Sequence, residues 1–137
     1  MTPTIRSAVV ADALAVLALW QEAAAEPSHT DDDVSLRQLI DRRPESLIVA
    51  ESENRIVGSV IAAWDGWRGS IYRLAVAPHH RRAGLGRRLV FEAEERLAGA
   101  GARRLQAIVV ESSAQATGFW RAIGWEQQVE RLRFVKG

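Results

Sequence analysis

No cysteine occurs in this 137-residue chain, which excludes disulfides, thiolate nucleophiles and cysteine-type zinc sites. A reducing cytoplasm is compatible with that absence. The chain has one lysine, Lys136, and it follows no glycine-rich loop, so the GxxxxGK[ST] phosphate motif is missing. Its three histidines, His29, His79 and His80, lack both the i, i+4 spacing and the neighbouring carboxylates of a catalytic zinc site, and no metal is expected. An excess of either charge is missing too. The 18 Lys+Arg nearly balance 17 Asp+Glu, which argues against a general nucleic-acid or membrane-surface binder. The opening "MTPTIRSAVVADALAVLALW" is apolar, but Asp12 interrupts it and no charged n-region precedes an unbroken apolar stretch, so it does not read as a signal peptide. A cytoplasmic protein is expected.

What is there fits one compact domain over residues 1–137. "TIRSAV" reads as a strand, and Asp12 as the cap of a helix carrying Leu14, Leu17 and Trp20 inward. A second helix follows with Leu36, Leu39 and Ile40 inward, stopped by Pro44, and Asp31, Asp32 and Asp33 stand at its N-terminal end. "LIVAES" and "RIVGSVIAAW" form a hairpin around Glu53 and Asn54, and the Asp-Gly of "DGWRG" returns the chain into "SIYRLAVA". A helix with Leu85, Leu89, Val90, Ala93 and Leu97 on one face then ends at Gly99–Gly101. "RRLQAIVV" reads as a buried strand, "SAQATGFWRAIG" as a short helix, and "WEQQVERLRFVK" as a last strand or hairpin arm. The predicted order is β-α-α-β-β-β-α-β-α-β, an α/β (α+β) fold whose mixed sheet is flanked by helices.

The most informative stretch is "RLAVAPHHRRAGLGRRLV". Pro78 stops the strand, and a helix starts near Gly84. Glycines at 84 and 86 let a ligand approach the backbone where the first helical N–H groups have no intrahelical partners. Such a turn suits phosphate oxygens, and Arg81, Arg82 and Arg87 add fork-shaped cationic donors. Arg88 is expected to point away. "GLGRRL" lacks the third small residue of a dinucleotide GxGxxG, and the strands before it are hairpin-linked, so a dehydrogenase does not fit.

The pattern R-x-x-G-x-G, here Arg81-Arg82-Ala83-Gly84-Leu85-Gly86 after "V-x-P", resembles the pyrophosphate turn of the GNAT superfamily of N-acetyltransferases. "SSAQATGFWRAIGW" resembles that family's N-x-x-A-x-x-F-Y-x-x-x-G-F block at Ala116, Phe119 and Gly124, with Trp125 in the last aromatic slot. The element order agrees as well, so the resemblance spans essentially the whole chain. It implies a GNAT-like, mostly antiparallel sheet with a central parallel pair of splayed strands. It implies acetyl-CoA as co-substrate, its pantetheine arm paired to the backbone of Leu74, Ala75 and Val76 and its pyrophosphate held by Arg81, Arg82, Ala83, Gly84, Leu85, Gly86 and Arg87. Ser113 takes the family's asparagine position near the cofactor arm, with a helix N-cap as its alternative role.

The reaction implied is direct attack of a neutral amine on the thioester, followed by loss of the CoA thiolate. The family's usual acid is the tyrosine of "F-Y", where this chain has Trp120. An indole N–H donates a hydrogen bond but is no useful acid near neutral pH; Trp120 is expected to pack against the cofactor. Glu111 and Tyr72 are the candidates for the base. Trp64, Asp65, Trp67 and Arg68 are candidates to border the acceptor, and Glu22, Glu26 and Asp31 to Asp33 to attract a cationic amine. The resemblance therefore implies an N-acetyltransferase for a small-molecule amine or a peptide N-terminus, acting without nucleic acid or membrane and compatible with a homodimer. A catalytically impaired acyl-CoA-binding module is the alternative, and a nucleic-acid binder using the arginine cluster is a third reading.

Overall fold

Continuous apolar runs split by turn residues build the centre of the molecule. The computed structural model describes residues 2–23, 28–109 and 114–137. Strands β2 (Leu47–Ser52), β3 (Arg55–Trp64) and β4 (Gly69–Val76) form an antiparallel meander. Glu53 and Asn54 connect the first two with φ of 52° and 63°, the pair of positive values that a two-residue type I′ turn requires. At the second turn the Asp65 carboxylate accepts from the N–H groups of Trp67 and Arg68, at 2.7 and 2.6 Å. Strand β1 (Thr4–Ser7) pairs antiparallel with β2, and β5 (Leu105–Ala107) pairs parallel with β4, giving the order β1-β2-β3-β4-β5. This is the expected mixed α/β class with one parallel pair.

Helices cover both faces. Successive residues of β3 point to opposite sides, and the two sides meet different helices. Ser59 accepts a 2.8 Å hydrogen bond from the indole of Trp20 on α1 (Ala13–Glu22), and α2 (Asp33–Arg42) packs beside α1. On the other side, a Cβ at Gly58 would lie 2.8 Å from Leu89 Cδ1 of α3 (Leu85–Ala100), so glycine lets α3 lie close on the sheet. The buried face of α3 is Leu85, Leu89, Val90, Ala93 and Leu97, the five residues expected from their spacing. Each such large side chain taken fully out of water contributes about 1.5–3 kcal/mol before entropic costs.

Three expectations are corrected. Leu14 is 62 % exposed, while α1 buries Ala13, Val16, Leu19 and Trp20. Asp12 does not cap α1; it closes a 3-10 turn (Val10–Asp12), accepting from the N–H of Val9 at 2.8 Å and from Arg6 at 2.7 and 3.1 Å. The last strand is absent: after α4 (Ala114–Ala122), residues 125–137 carry no helix or strand. No helix among the described residues is long and apolar enough to cross a membrane.

The Arg6 hydrogen bond holds the Asp12 carboxyl below the usual carboxylate range against the opposing effect of burial, with help from the Val9 N–H. Because its pKa is depressed by folding, this group stabilises the protein above the unfolded carboxylate value and ceases to do so as pH falls through the folded one. Asp12→Asn should therefore lower stability at pH 7 by about 1–2 kcal/mol, the lower part of the range for charge-assisted bonds because Arg6 is partly solvated. Denaturant titrations of both proteins should converge toward low pH; a constant gap would mean that packing, not charge, is lost.

Candidate active site

Strands β4 and β5 run parallel for three residue pairs, Gly69↔Leu105, Ser70↔Gln106 and Ile71↔Ala107, and then pairing stops. Strand β4 continues to Val76. Ile108 and Val109, the next residues of the chain after β5, make no strand pairing, so among the described residues the sheet opens into a fork after Ile71. Leu74, Ala75 and Val76 lie on its β4 side, with Ala75 buried and the other two half-buried.

Backbone geometry opens the fork as well as the missing partner. Ser59 pairs with Ala75 and Ile61 with Tyr72, so Arg73 and Leu74 together oppose Val60 in a β-bulge. Arg73 has φ of 56°, a conformation disfavoured for non-glycine residues. Its surroundings hold it there. The Ser59 hydroxyl donates to the Arg73 carbonyl at 3.0 Å while accepting the Trp20 indole. The Arg73 guanidinium lies 4.9 Å from the Trp20 ring centroid and donates to both Asp31 oxygens at 2.8 Å. This network ties α1 and the segment before α2 to the strand at the point where the sheet divides.

The chain leaves β4 through a short 3-10 turn (Pro78–His80) and turns again at Arg82 and Gly84, with φ of 64° and 80°. The first intrahelical bond of α3 is Arg88 N–H to Gly84 C=O at 3.1 Å, so the N–H groups of Leu85, Gly86 and Arg87 precede the helical ladder and point from its positive end. A Cβ at Gly84 would meet nothing within 4 Å. Here glycine serves the left-handed backbone, and the space before the helix is open. Arg82, Ala83 and Arg87 are exposed at this end. Arg81 is directed elsewhere: its guanidinium donates to the carbonyls of Val76 and Ala23, both at 3.2 Å. It braces the strand end against α1, a role its place in the motif did not reveal. Arg88 turns away and donates to the Pro3 carbonyl at 3.0 Å.

Helix α4 closes the fork's other flank. A Cβ at Gly86 would lie 3.4 Å from the Phe119 ring and 3.8 Å from Val76 Cγ2, which places the start of α3, the second half of α4 and the end of β4 in contact. Trp120 is buried, edge-on to Phe119 and Trp125 with centroids 5.7 and 4.8 Å apart. It thus forms the backing of this wall. Ser113, Glu111 and Glu26 lie outside the described residues.

On the α1 side of the sheet, Tyr72 is 39 % exposed beside the fork, and Gln106 donates to the Ser70 hydroxyl at 3.0 Å. Burial raises the Tyr72 phenol above its ordinary pKa, against a smaller lowering by Arg73. At neutral pH it is protonated and a donor. The structure does not bring the "WDGWRG" residues to the fork. Asp65, Trp67 and Arg68 lie before the start of β4, where β4 and β5 are still paired. Arg68 stacks on Trp67, and Trp64 faces α3 near Gly101.

The site thus consists of an opened parallel strand pair beside a helix start whose first N–H groups precede the helical ladder. The chain belongs to the acetyltransferase (GNAT) family, whose profile matches residues 14–125. It is 31% identical over 113 residues to an acetyltransferase of Yersinia pestis, covering 82% of this chain and 80% of that one. It is 30% identical over 112 residues to an acetyltransferase of Pectobacterium atrosepticum, covering 82% and 79%. The PaiA N-acetyltransferase of Thermoplasma acidophilum, solved with coenzyme A, shares the fold at a TM-score of 0.81 and 15% identity, over 93% of this chain and 92% of that one. So does AAC(6')-Iy bound to the bisubstrate analogue CoA-S-monomethyl-acetylneamine, at a TM-score of 0.77 and 17% identity over 100% and 99%.

Proposed function

We propose that residues 1–137 act as a single acetyltransferase domain that transfers the acetyl group of acetyl-CoA to a primary amine of a small molecule or a peptide N-terminus. The observation that carries this reading is the fork: β4 runs on to Val76 past its last pairing with the described part of β5 and leads to the N–H groups of Leu85, Gly86 and Arg87, which precede the helical ladder. The first suits the amide-bearing pantetheine arm, and the second suits the pyrophosphate. Two fold relatives were solved with coenzyme A or a CoA-containing analogue, which supports acetyl-CoA as the co-substrate. The absence of cysteine supports a cytoplasmic location.

In the reaction the amine nitrogen attacks the thioester carbonyl, the C–S bond breaks, and the amine gives up a proton while the thiolate gains one or departs as the anion. Tyr72 is read here as an O–H donor at the fork and not as the base the sequence offered, because a phenol whose pKa burial raises stays protonated at neutral pH and accepts no proton. Glu111, at the far end of the segment after β5, is assigned the amine's proton. General acid–base help of this kind is typically worth about 10²–10⁴-fold. Tyr72→Phe should therefore lower kcat by about 10²-fold or more with acetyl-CoA affinity unchanged. Glu111→Gln should remove the rise of rate with pH on the acidic limb. A Tyr72→Phe enzyme within about threefold of wild type would withdraw the tyrosine from the chemistry.

The reading is tested by titrating the purified protein with acetyl-CoA in a calorimeter, then following thiol release across a panel of amines. Saturable binding with amine-dependent release of free CoA is expected; no binding by a folded protein would overturn it. The burial of Trp120 in the position of the family's tyrosine favours a second reading, an acyl-CoA-binding module without turnover. Binding with no thiol release from any amine is the result that would select it.

A further inference from the structure

Successive residues of a strand point to opposite faces, and Tyr72 and Arg73 break that rule. Tyr72 pairs with Ile61 and lies on the side of Ser59 and α1. The bulge sets one more residue opposite Val60, and with φ of 56° at Arg73 the next side chain is turned onto the same side. Its guanidinium lies over the Trp20 ring, 4.9 Å from the centroid. Ser59 fixes this arrangement from within the sheet, because its buried hydroxyl donates to the Arg73 carbonyl at 3.0 Å. A cation is therefore built beside the phenol on the acceptor side of the fork.

This charge has a counter-ion. Both Asp31 oxygens accept from one Arg73 nitrogen at 2.8 Å, and the two side chains are only 18 % and 19 % exposed. Asp31 is held in turn by its own segment, accepting from the Ser28 N–H at 3.1 Å and donating its N–H to the Ser28 carbonyl at 2.9 Å. The other acids of this stretch are engaged elsewhere: Asp32 caps α2 through the Ser35 N–H at 2.7 Å, and Asp33 pairs with Arg37 at 2.9 Å. Glu22 is exposed at the end of α1. β3 and β5 bring Ile61 and Gln106 to this side, and neither titrates. Among the described residues, Tyr72 meets the charge of Arg73 and, behind it, that of Asp31.

We propose that Arg73 is a positioning residue that acts on the reaction through Tyr72: its guanidinium strengthens the phenol as an O–H donor, and Asp31 is the counter-ion that sets how much of that charge the phenol meets. The role rests on the reading of Tyr72 as the donor. Burial by itself makes a phenol a weaker acid, because it disfavours the phenolate. A neighbouring cation favours the phenolate and works the other way, as Arg73 does on Tyr72. An acid assists a departing thiolate best when its own proton is not held too tightly, and a bulge that delivers a cation to a half-buried phenol meets that need. The carboxylate on the far side of the cation compensates its charge where the pair leaves water.

Tyr72 is the one tyrosine of the chain, so phenolate absorbance followed against pH reads it alone, with no acetyl-CoA or amine present. Wild type is compared with Arg73→Gln, Arg73→Lys and Asp31→Asn; glutamine and lysine keep a Cβ, so the backbone strain at residue 73 is unchanged. Arg73→Gln should move the Tyr72 midpoint up, Asp31→Asn should move it down, and Arg73→Lys should stay near wild type. In acetyl transfer Arg73→Gln should lower kcat by about tenfold, a part of what an acid contributes in full, with acetyl-CoA affinity within about twofold of wild type. Lysine should restore most of the rate. A merely structural role gives Arg73→Gln the opposite sign, since loosened packing exposes the phenol and brings its midpoint down, and that result overturns the proposal. So does a midpoint indifferent to Arg73→Gln in an enzyme that transfers acetyl groups. Wild type without any acetyl transfer overturns the donor reading and this role together, which keeps the two failures distinguishable.

Discussion

Gly84→Glu should lower acetyl-CoA affinity by at least ~100-fold while the protein stays folded. In the free protein the substitution costs only the left-handed backbone, φ of 80°, on the order of 1 kcal/mol for a residue with a Cβ. No neighbour obstructs it, since the Cβ would point into open space. A carboxylate at this end of α3 is moreover favoured by the helix dipole, which offsets part of the strain. The ligand meets a different situation. The carboxylate would occupy the place assigned to the pyrophosphate, and two like charges about 4 Å apart repel by about 4 kcal/mol at a surface dielectric near 20. A loss of 100-fold needs only ~2.7 kcal/mol. Gly84→Ala separates the contributions, because it carries the strain without the charge and should bind within about fivefold of wild type. Calorimetric titration of the three proteins decides the matter: equal loss in both variants would assign the effect to backbone geometry, and unchanged binding by Gly84→Glu would remove the pyrophosphate from this turn.

What could be read in advance divides along physical lines. The face of α3 was legible because its five buried apolar residues are set mostly among Arg, Glu and Gly, with Phe91 the one large apolar residue left outside. Helix α1 gave no such choice. "ALAVLALW" is apolar at every position, so every face looks like a core face, and which one turns inward was decided by the sheet; Leu14 lost and the smaller Ala13 and Val16 were buried. The hairpin turns were legible from local chemistry, since Asp65 bonds its own neighbours and Asn54 tolerates the left-handed backbone. The final strand was not, because an alternating pattern specifies a strand's two faces but not the edge it pairs with.

The site divides in the same way. The turn at Arg81–Gly86 is a local motif, and a helix start at Gly84 with left-handed backbone could be read from it. The Arg73 network joins residues 42 positions apart in sequence at Asp31 and 14 apart at Ser59, and nothing near Arg73 announces its left-handed backbone. The motif also did not say which arginine faces the ligand space. Arg81 is used to bond Val76 and Ala23, while Arg82 and Arg87 remain exposed at the helix start.

Trp120→Ala should destabilise the protein by about 3–5 kcal/mol, the range for emptying a buried aromatic site. Trp120 is 8 % exposed and wedged between Phe119 and Trp125, and its carbonyl accepts from the Trp125 N–H at 3.0 Å. Its removal therefore loosens α4 on the sheet and, through Phe119, the contact at Gly86. Denaturant unfolding measures the first effect, and a weakened acetyl-CoA titration on the still-folded variant measures the second. Trp120→Tyr asks the chemical question. If this position were open to the departing sulfur, a phenol there would supply an acid and raise kcat by about tenfold or more. Because the side chain lies behind Phe119 in an apolar cluster, the phenol would instead be buried without a partner, costing about 1–3 kcal/mol of stability and leaving kcat within about threefold of wild type. A large gain in kcat would mean that α4 turns this side chain into the fork when acetyl-CoA is bound, and Tyr72 would then lose its place as the donor.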